Sequence, residues 1–271
     1  MRGLSMSPAS LSARREPTLR PRAHPLVRRQ PDFSAARSQA AARSTVPSRR
    51  QPDFSLPGHR RKQRAHGYGG SVATDDRWNH NIHYHRVVLD AVPEGAHNAL
   101  DVGAGDGLLT RELRTCVAHV TAIDVDRKVL DRARTPDPGV TWIVGDVLDH
   151  PLVPGTFDVV ASVATLHHLP DLAQALSRFA ELTAPGGVLV VVGLARSTGL
   201  KDLPYEIAGA VQHRVLARRR TVWEHSAPTV WPPPHDYAEV RRTAAAVLPG
   251  ARWRRLPMWR YSLVWRKPPV A

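Results

Sequence analysis

Ala99-Leu100-Asp101-Val102-Gly103-Ala104-Gly105-Asp106-Gly107 is the stretch of the chain that decides its fold. The apolar run from Asn98 to Val102 has strand length. Beyond the glycines, Leu109, Leu113, Cys116 and Val117 fall on one side of a helix, which faces the core. Glycines at such a junction leave no Cβ in the way of a ligand approaching the backbone, and the first amides of the helix point at that ligand. A dinucleotide-binding turn also places glycines here, but its fingerprint needs a third glycine where this chain has Leu108. The glycines instead stand at 103, 105 and 107, with Asp101 two residues before the first.

Strand and helix patterns alternate outward from this turn. Upstream, Trp78, Ile82, Val88, Leu89 and Val92 predict one helix from Trp78 to Val92, ended by Pro93. Downstream, strands are predicted at Val120–Ile123, Val140–Val144, Phe157–Val163 and Val188–Val192. Helices are predicted over Asp126–Ala133 and after Asp171, the latter stopped by Ala184-Pro185-Gly186-Gly187. Val188 to Val192 is apolar on both faces, as a central parallel strand is. Helices over Leu203–Arg218 and Asp236–Val247 follow, and then Arg252–Leu256 and Tyr261–Trp265 read as a hairpin. The pattern predicts a doubly wound α/β sheet, mostly parallel with an antiparallel C-terminal hairpin, whose ligands lie at the carboxyl ends of the strands.

The 271 residues carry a net charge of +14, but the excess is uneven. Residues 1–66 balance to +12, residues 67–212 to −7 and residues 213–271 to +9, so the total gives the middle of the chain no polyanion signal. The first stretch is rich in Arg, Ser, Pro and Ala without apolar periodicity, and it repeats Arg28-Arg29-Gln30-Pro31-Asp32-Phe33-Ser34 at Arg49 to Ser55. Residues 1–70 therefore read as a disordered basic extension, a targeting segment or translated upstream sequence, and residues 71–271 as a single domain. Within that domain, 198–235 is expected to cover the substrate. No apolar run reaches the ~18 residues that span a bilayer, and a single cysteine builds no disulfide framework. A soluble cytoplasmic protein is expected, with no membrane partner.

Acids recur where strands end. Asp124 closes Ile123-Asp124-Val125-Asp126, where a carboxylate can accept hydrogen bonds from a ribose diol, while Asp126 suits a helix N-cap better. Val144-Gly145-Asp146-Val147 ends the third strand. Phe157-Asp158-Val159-Val160 opens the fourth, and Leu166-His167-His168-Leu169-Pro170-Asp171 and Leu182-Thr183-Ala184-Pro185-Gly186-Gly187 come later. This ordered set, spread over residues 75–195, resembles the class I S-adenosylmethionine-dependent methyltransferases, in particular the small-molecule branch called type 11. The resemblance implies a Rossmann-like sheet and S-adenosylmethionine as cofactor. It places Asp101 with Gly103, Ala104, Gly105 and Gly107 around the methionine end of the cofactor and Asp124 on the ribose. It places Asp146 on the adenine amino group, Val125 and Val147 on the ring faces, and Ser162 among the cofactor-binding residues. His167 and His168 would lie beside the methyl group.

Several departures narrow the chemistry. Ser162-Val163-Ala164-Thr165 stands where the resembling enzymes that methylate base amines carry an Asn/Asp-Pro-Pro-aromatic turn. Cys116 reads as inert packing rather than a thiolate nucleophile. No carboxylate follows Asp158 until Asp171, so a catechol-type metal site is not expected. His80, His83 and His85 have no cysteine pair to complete a zinc site and read as a helix lining the cofactor mouth. His167 is the general-base candidate, since an imidazole titrates where a hydroxyl or amine must lose its proton, and His168 the structural one. Trp223, Trp231 and Tyr237 read either as a lid or as packing, and Arg218-Arg219-Arg220 as a solvated helix end. The expected function is metal-independent methyl transfer to a small organic acceptor, with nucleic acid not expected as a partner. The rivals are an RNA methyltransferase and a catalytically silent regulatory subunit of the same fold.

Overall fold

In the computed structural model, which describes residues 77–223 and 230–270, a two-residue strand β1 (Arg77–Trp78) precedes the alternating pattern. Then come α1 (His80–His83), α2 (His85–Leu89), β2 (Asn98–Val102), α3 (Leu108–Leu113), β3 (His119–Asp124), α4 (Arg127–Ala133), β4 (Val140–Val144) and β5 (Phe157–Val163). A 3-10 turn at Leu166–His168 leads to α5 (Leu172–Leu182), β6 (Thr183–Leu194), α6 (Leu203–Arg219), β7 (Thr221–Val222), α7 (Tyr237–Val247), β8 (Arg252–Leu256) and β9 (Arg260–Arg266). The main sheet has the order β4-β3-β2-β5-β6-β9-β8, and β1 pairs in parallel with β7 in a separate ribbon. Only β9 runs against its neighbours, so the sheet is mostly parallel and closes on the hairpin expected from the sequence.

Period-two alternation sends each strand's side chains to two helical layers. Leu100 and Val102 face the layer of α5 and α7, where Leu172, Leu176, Phe179, Val240 and Ala244 are buried with Leu189, Val191 and Leu263. Ala99 faces the other layer, with Val88, Leu109, Leu113, Val159 and Val190. Each fully buried Leu or Phe contributes roughly 1.5–3 kcal/mol. Asp101, two residues after Ala99, is turned toward α2 and α3. Strand order reverses at β2, between β3 and β5, which opens a crevice at the carboxyl ends of these strands.

Several sequence expectations are corrected. The predicted helix Trp78–Val92 is two short helices: Asn79 caps α1 by accepting from the Asn81 and Ile82 amides, and Tyr84, at φ −101° and ψ 4°, separates it from α2. The central strand is longer than Val188–Val192 because β6 takes in the Ala184–Gly187 turn, at the cost of a register shift between Phe157 and Val159. Cys116 is exposed rather than packed, since α3 ends at Leu113 and the chain turns before it. The basic extension and its repeat, and residues 224–229 of the 198–235 segment, lie outside the described residues. Among the described residues no helix is long and apolar enough to cross a membrane.

Candidate active site

A cavity of 1920 Å³ opens at the carboxyl ends of β2, β3, β4 and β5. Its floor is the glycine turn, where Gly103, Gly105 and Gly107 all have left-handed φ, +73°, +52° and +68°. The three do different work. A Cβ on Gly103 would sit 2.0 Å from Thr165 Oγ1, and one on Gly107 would sit 2.6 Å from the Trp142 ring, so both glycines admit neighbouring side chains. Beside Gly105 only the Gly103 carbonyl comes within reach, at 4.0 Å, so this position leaves the floor bare toward the cavity.

Acids wall one end. Asp101 is buried and accepts the Thr110 hydroxyl at 2.6 Å through Oδ2. Burial pushes its carboxyl up to about 6, and Asp124 adds to the rise, while the Thr110 hydroxyl and His85 work against it. Asp124 accepts the Gly105 amide through Oδ2 and the Asp126 amide through Oδ1, both at 2.9 Å, so the acid at the end of β3 also holds the glycine turn in place. Asp126 caps α4 by accepting the Lys128 and Val129 amides, which is the structural role expected of it. Asp146 accepts the Leu148 amide at 2.9 Å. Val125 is 69% exposed at the cavity wall, and Val147 is buried against it.

The structure therefore brings Asp101, Gly103, Ala104, Gly105, Asp124, Val125, Asp146, Val147 and His167 to one cavity, with Gly107 supporting its floor. Ser162 is the exception. It is fully buried in β5 between Val102 and Val191, and the turn after it, Val163-Ala164-Thr165, lines the cavity instead. Ala164 holds a left-handed φ of +56°, a strained conformation for a residue with a Cβ and a kind that clusters at functional sites. His167 is buried and His168 exposed, with ring centroids 4.1 Å apart, and both line the cavity. His85, which hydrogen-bonds Glu112 at 3.0 Å, lies at the acid end.

The far end combines residues that the sequence singled out, His80, Trp223 and Trp231, with others that it did not, His213, Trp259 and Arg260. His80 Nε2 and His213 Nδ1 are 2.9 Å apart, and burial together with Arg260 lowers His80 to about 3. Trp78, Trp223, Trp231 and Trp259 line this end, whereas Tyr237 belongs to the core beneath Arg255, 3.9 Å from its guanidinium carbon. Arg260, the first residue of β9, also lines the cavity. Met258 and Trp259 both have left-handed φ, +53° and +58°, in the tight turn that delivers Trp259 and Arg260. Helix α6 fits against this turn at Gly209, where a Cβ would lie 2.8 Å from the Met258 amide nitrogen. Nothing local in the sequence marks His213, Trp259 or Arg260.

The strand order, the reversed β9, the glycine turn and acids at the ends of β2, β3 and β4 together define a class I methyltransferase fold. The family described as "Methyltransferase domain" matches residues 100–191. An uncharacterised methyltransferase of Mycobacterium tuberculosis (strain ATCC 25618 / H37Rv) is 42% identical over 199 residues, 72% of this chain and 99% of that one. The ubiquinone biosynthesis O-methyltransferase of Thiobacillus denitrificans is 30% identical over 168 residues, 59% of this chain and 64% of that one. Among solved structures, the [4+2]-cyclase SpnF superposes with a TM-score of 0.52 at 16% identity, over 69% of this chain and 82% of that one, a likeness of fold alone. The chain belongs to the class I S-adenosylmethionine-dependent methyltransferase family.

Proposed function

We propose that the protein transfers a methyl group from S-adenosylmethionine to a small organic acceptor without a metal ion. The observation that carries the reading is Asp101: a buried carboxylate, bonded to one hydroxyl and pushed up to about 6, stands where a positively charged ligand would stabilise it. The rest of that end fits the same ligand. Asp124 is engaged by one amide on each oxygen and keeps lone pairs for a diol, Gly105 leaves the floor bare, and Asp146, Val125 and Val147 offer a polar edge and two apolar faces to a base.

When bound, S-adenosylmethionine supplies a methyl group made electrophilic by its sulfonium. The residues of this chain then have three tasks. Asp101 and the glycine turn hold the methionine end, Asp124 the ribose hydroxyls, and Asp146 the adenine amino group. The apolar rings at the far end exclude water and keep acceptor and donor aligned. His167 takes the proton from the acceptor as it becomes a nucleophile. The relative named as an O-methyltransferase makes an oxygen nucleophile the first to test.

Calorimetry with S-adenosylhomocysteine, followed by labelled-methyl transfer from S-adenosylmethionine into a small-molecule extract with the product identified by mass, tests the reading. Binding and a labelled small product are expected. A folded protein that binds no S-adenosylhomocysteine contradicts it.

A further inference from the structure

The two ends of the cavity differ in charge, and the far end holds a cation that has no partner of opposite charge among the described residues. Arg260 is only 7% exposed and lines the cavity. One Nη donates to the Met258 carbonyl at 3.3 Å and the other to Asn81 Oδ1 at 2.7 Å, while its buried Nε finds no acceptor among the described residues. None of these partners is a carboxylate. The acids nearby are engaged elsewhere: Asp202 pairs with Arg255, and Glu206 accepts from the Ser197 hydroxyl and the Trp259 indole N–H and lies 3.7 Å from Arg255.

Burial brings Arg260 down to about 10, so it stays charged at neutral pH. The imidazoles around it are neutral there, His80 lowered to about 3 and His83 and His213 lowered chiefly by burial. Among the described residues, Arg260 is thus a fixed positive charge lining this end. A buried charge without a counter-ion is costly, and a planar guanidinium with spare donors matches a carboxylate fork. Indole rings of Trp223, Trp231 and Trp259 line the same cavity and supply flat apolar walls.

We infer that the acceptor is an organic carboxylate with a flat apolar body, and that Arg260 binds its carboxylate. The inference deepens the methyl-transfer reading and rests on it for the ligand's role as acceptor, though the anion site itself is tested separately. The full-length protein is titrated by calorimetry with benzoate and with benzamide, each with and without saturating S-adenosylhomocysteine. Benzoate is expected to bind at least about tenfold more tightly than benzamide. Arg260→Gln should abolish that preference, and Arg260→Lys should keep part of it. Benzoate binding no tighter than benzamide, including the case where neither binds, overturns the inference, as does an Arg260→Gln protein that keeps the preference. Should Arg260→Gln fail to fold, the wild-type comparison still decides. A benzoate preference without S-adenosylhomocysteine binding would sink the methyl-transfer reading and leave the anion site standing, and the converse pattern would do the reverse.

Discussion

The acid end and the arginine end of the cavity are built in opposite ways. The acid end comes from contiguous stretches at the ends of adjacent parallel strands: residues 101–107 after β2, 124–126 after β3 and 145–147 after β4. Each acid there is tied to nearby backbone or to the next helix, as Asp124 is to Gly105 and Asp126. The arginine end is gathered from α1, α6, the β5 exit and the β8–β9 turn, stretches far apart in the chain, as the Asn81–Arg260 pair is at 179 residues. One end is a strand-end motif that any member of the fold can carry. The other is a product of this chain's tertiary packing, and in the proposed reading it is the end that meets the acceptor.

The sharpest way to break this division is His167→Ala. If His167 is the base at the junction of the two ends, turnover drops by a factor of ~10²–10⁴ while S-adenosylhomocysteine affinity stays nearly unchanged. An unchanged rate with a lower melting temperature would make the buried ring structural. Next in size is Asp124→Ala, where loss of charge-assisted hydrogen bonds worth ~1.5–3 kcal/mol weakens S-adenosylhomocysteine binding about tenfold to a hundredfold. Calorimetry on the folded variant reads this directly, and wild-type affinity would take Asp124 out of the site.

Asp101 gives a pH test of about tenfold. Its folded-state pKa is raised from 3.8 to about 6, so its contribution to stability is full below about pH 4 and is lost as pH rises through about 6. Binding of a cationic ligand beside it has the opposite sign, because it needs the carboxylate. Affinity for S-adenosylmethionine should therefore fall about tenfold between about pH 7 and pH 5, and Asp101→Asn should flatten that profile. A profile that is the same in Asp101→Asn would assign the titration to another group. The smallest effect belongs to Asp126→Ala, which removes the α4 cap and costs ~0.5–2 kcal/mol of stability with little change in binding, read as a shift in melting temperature against an unaltered titration.

What the sequence revealed follows the same division. The alternation of strands and helices, the C-terminal hairpin and the acids were legible because alternating apolar runs, glycine turns and strand-end carboxylates are short-range signals. Ser162 does not line the cavity, because strand alternation puts its side chain inward with Val102 and Val191 and β5 continues to Val163. The helix expected over Trp78–Val92 failed because its apolar spacing holds only approximately, and the Asn79 cap and the Tyr84 break are decided by local hydrogen bonds. Arg260 had no signal at all. In the sequence it is one of many arginines near the C-terminus, and only the hairpin turn and the packing of α6 and α1 bury it at the cavity.

The central claim is that one cavity holds a methyl donor at its acid end and an acceptor at its arginine end. Titration of S-adenosylhomocysteine into wild type, Asp124→Ala and Arg260→Gln tests it most directly. The account predicts binding to wild type, about tenfold to a hundredfold weaker binding to Asp124→Ala, and near wild-type binding to Arg260→Gln. No binding to the folded wild type, or a loss in Arg260→Gln that equals the loss in Asp124→Ala, would contradict it.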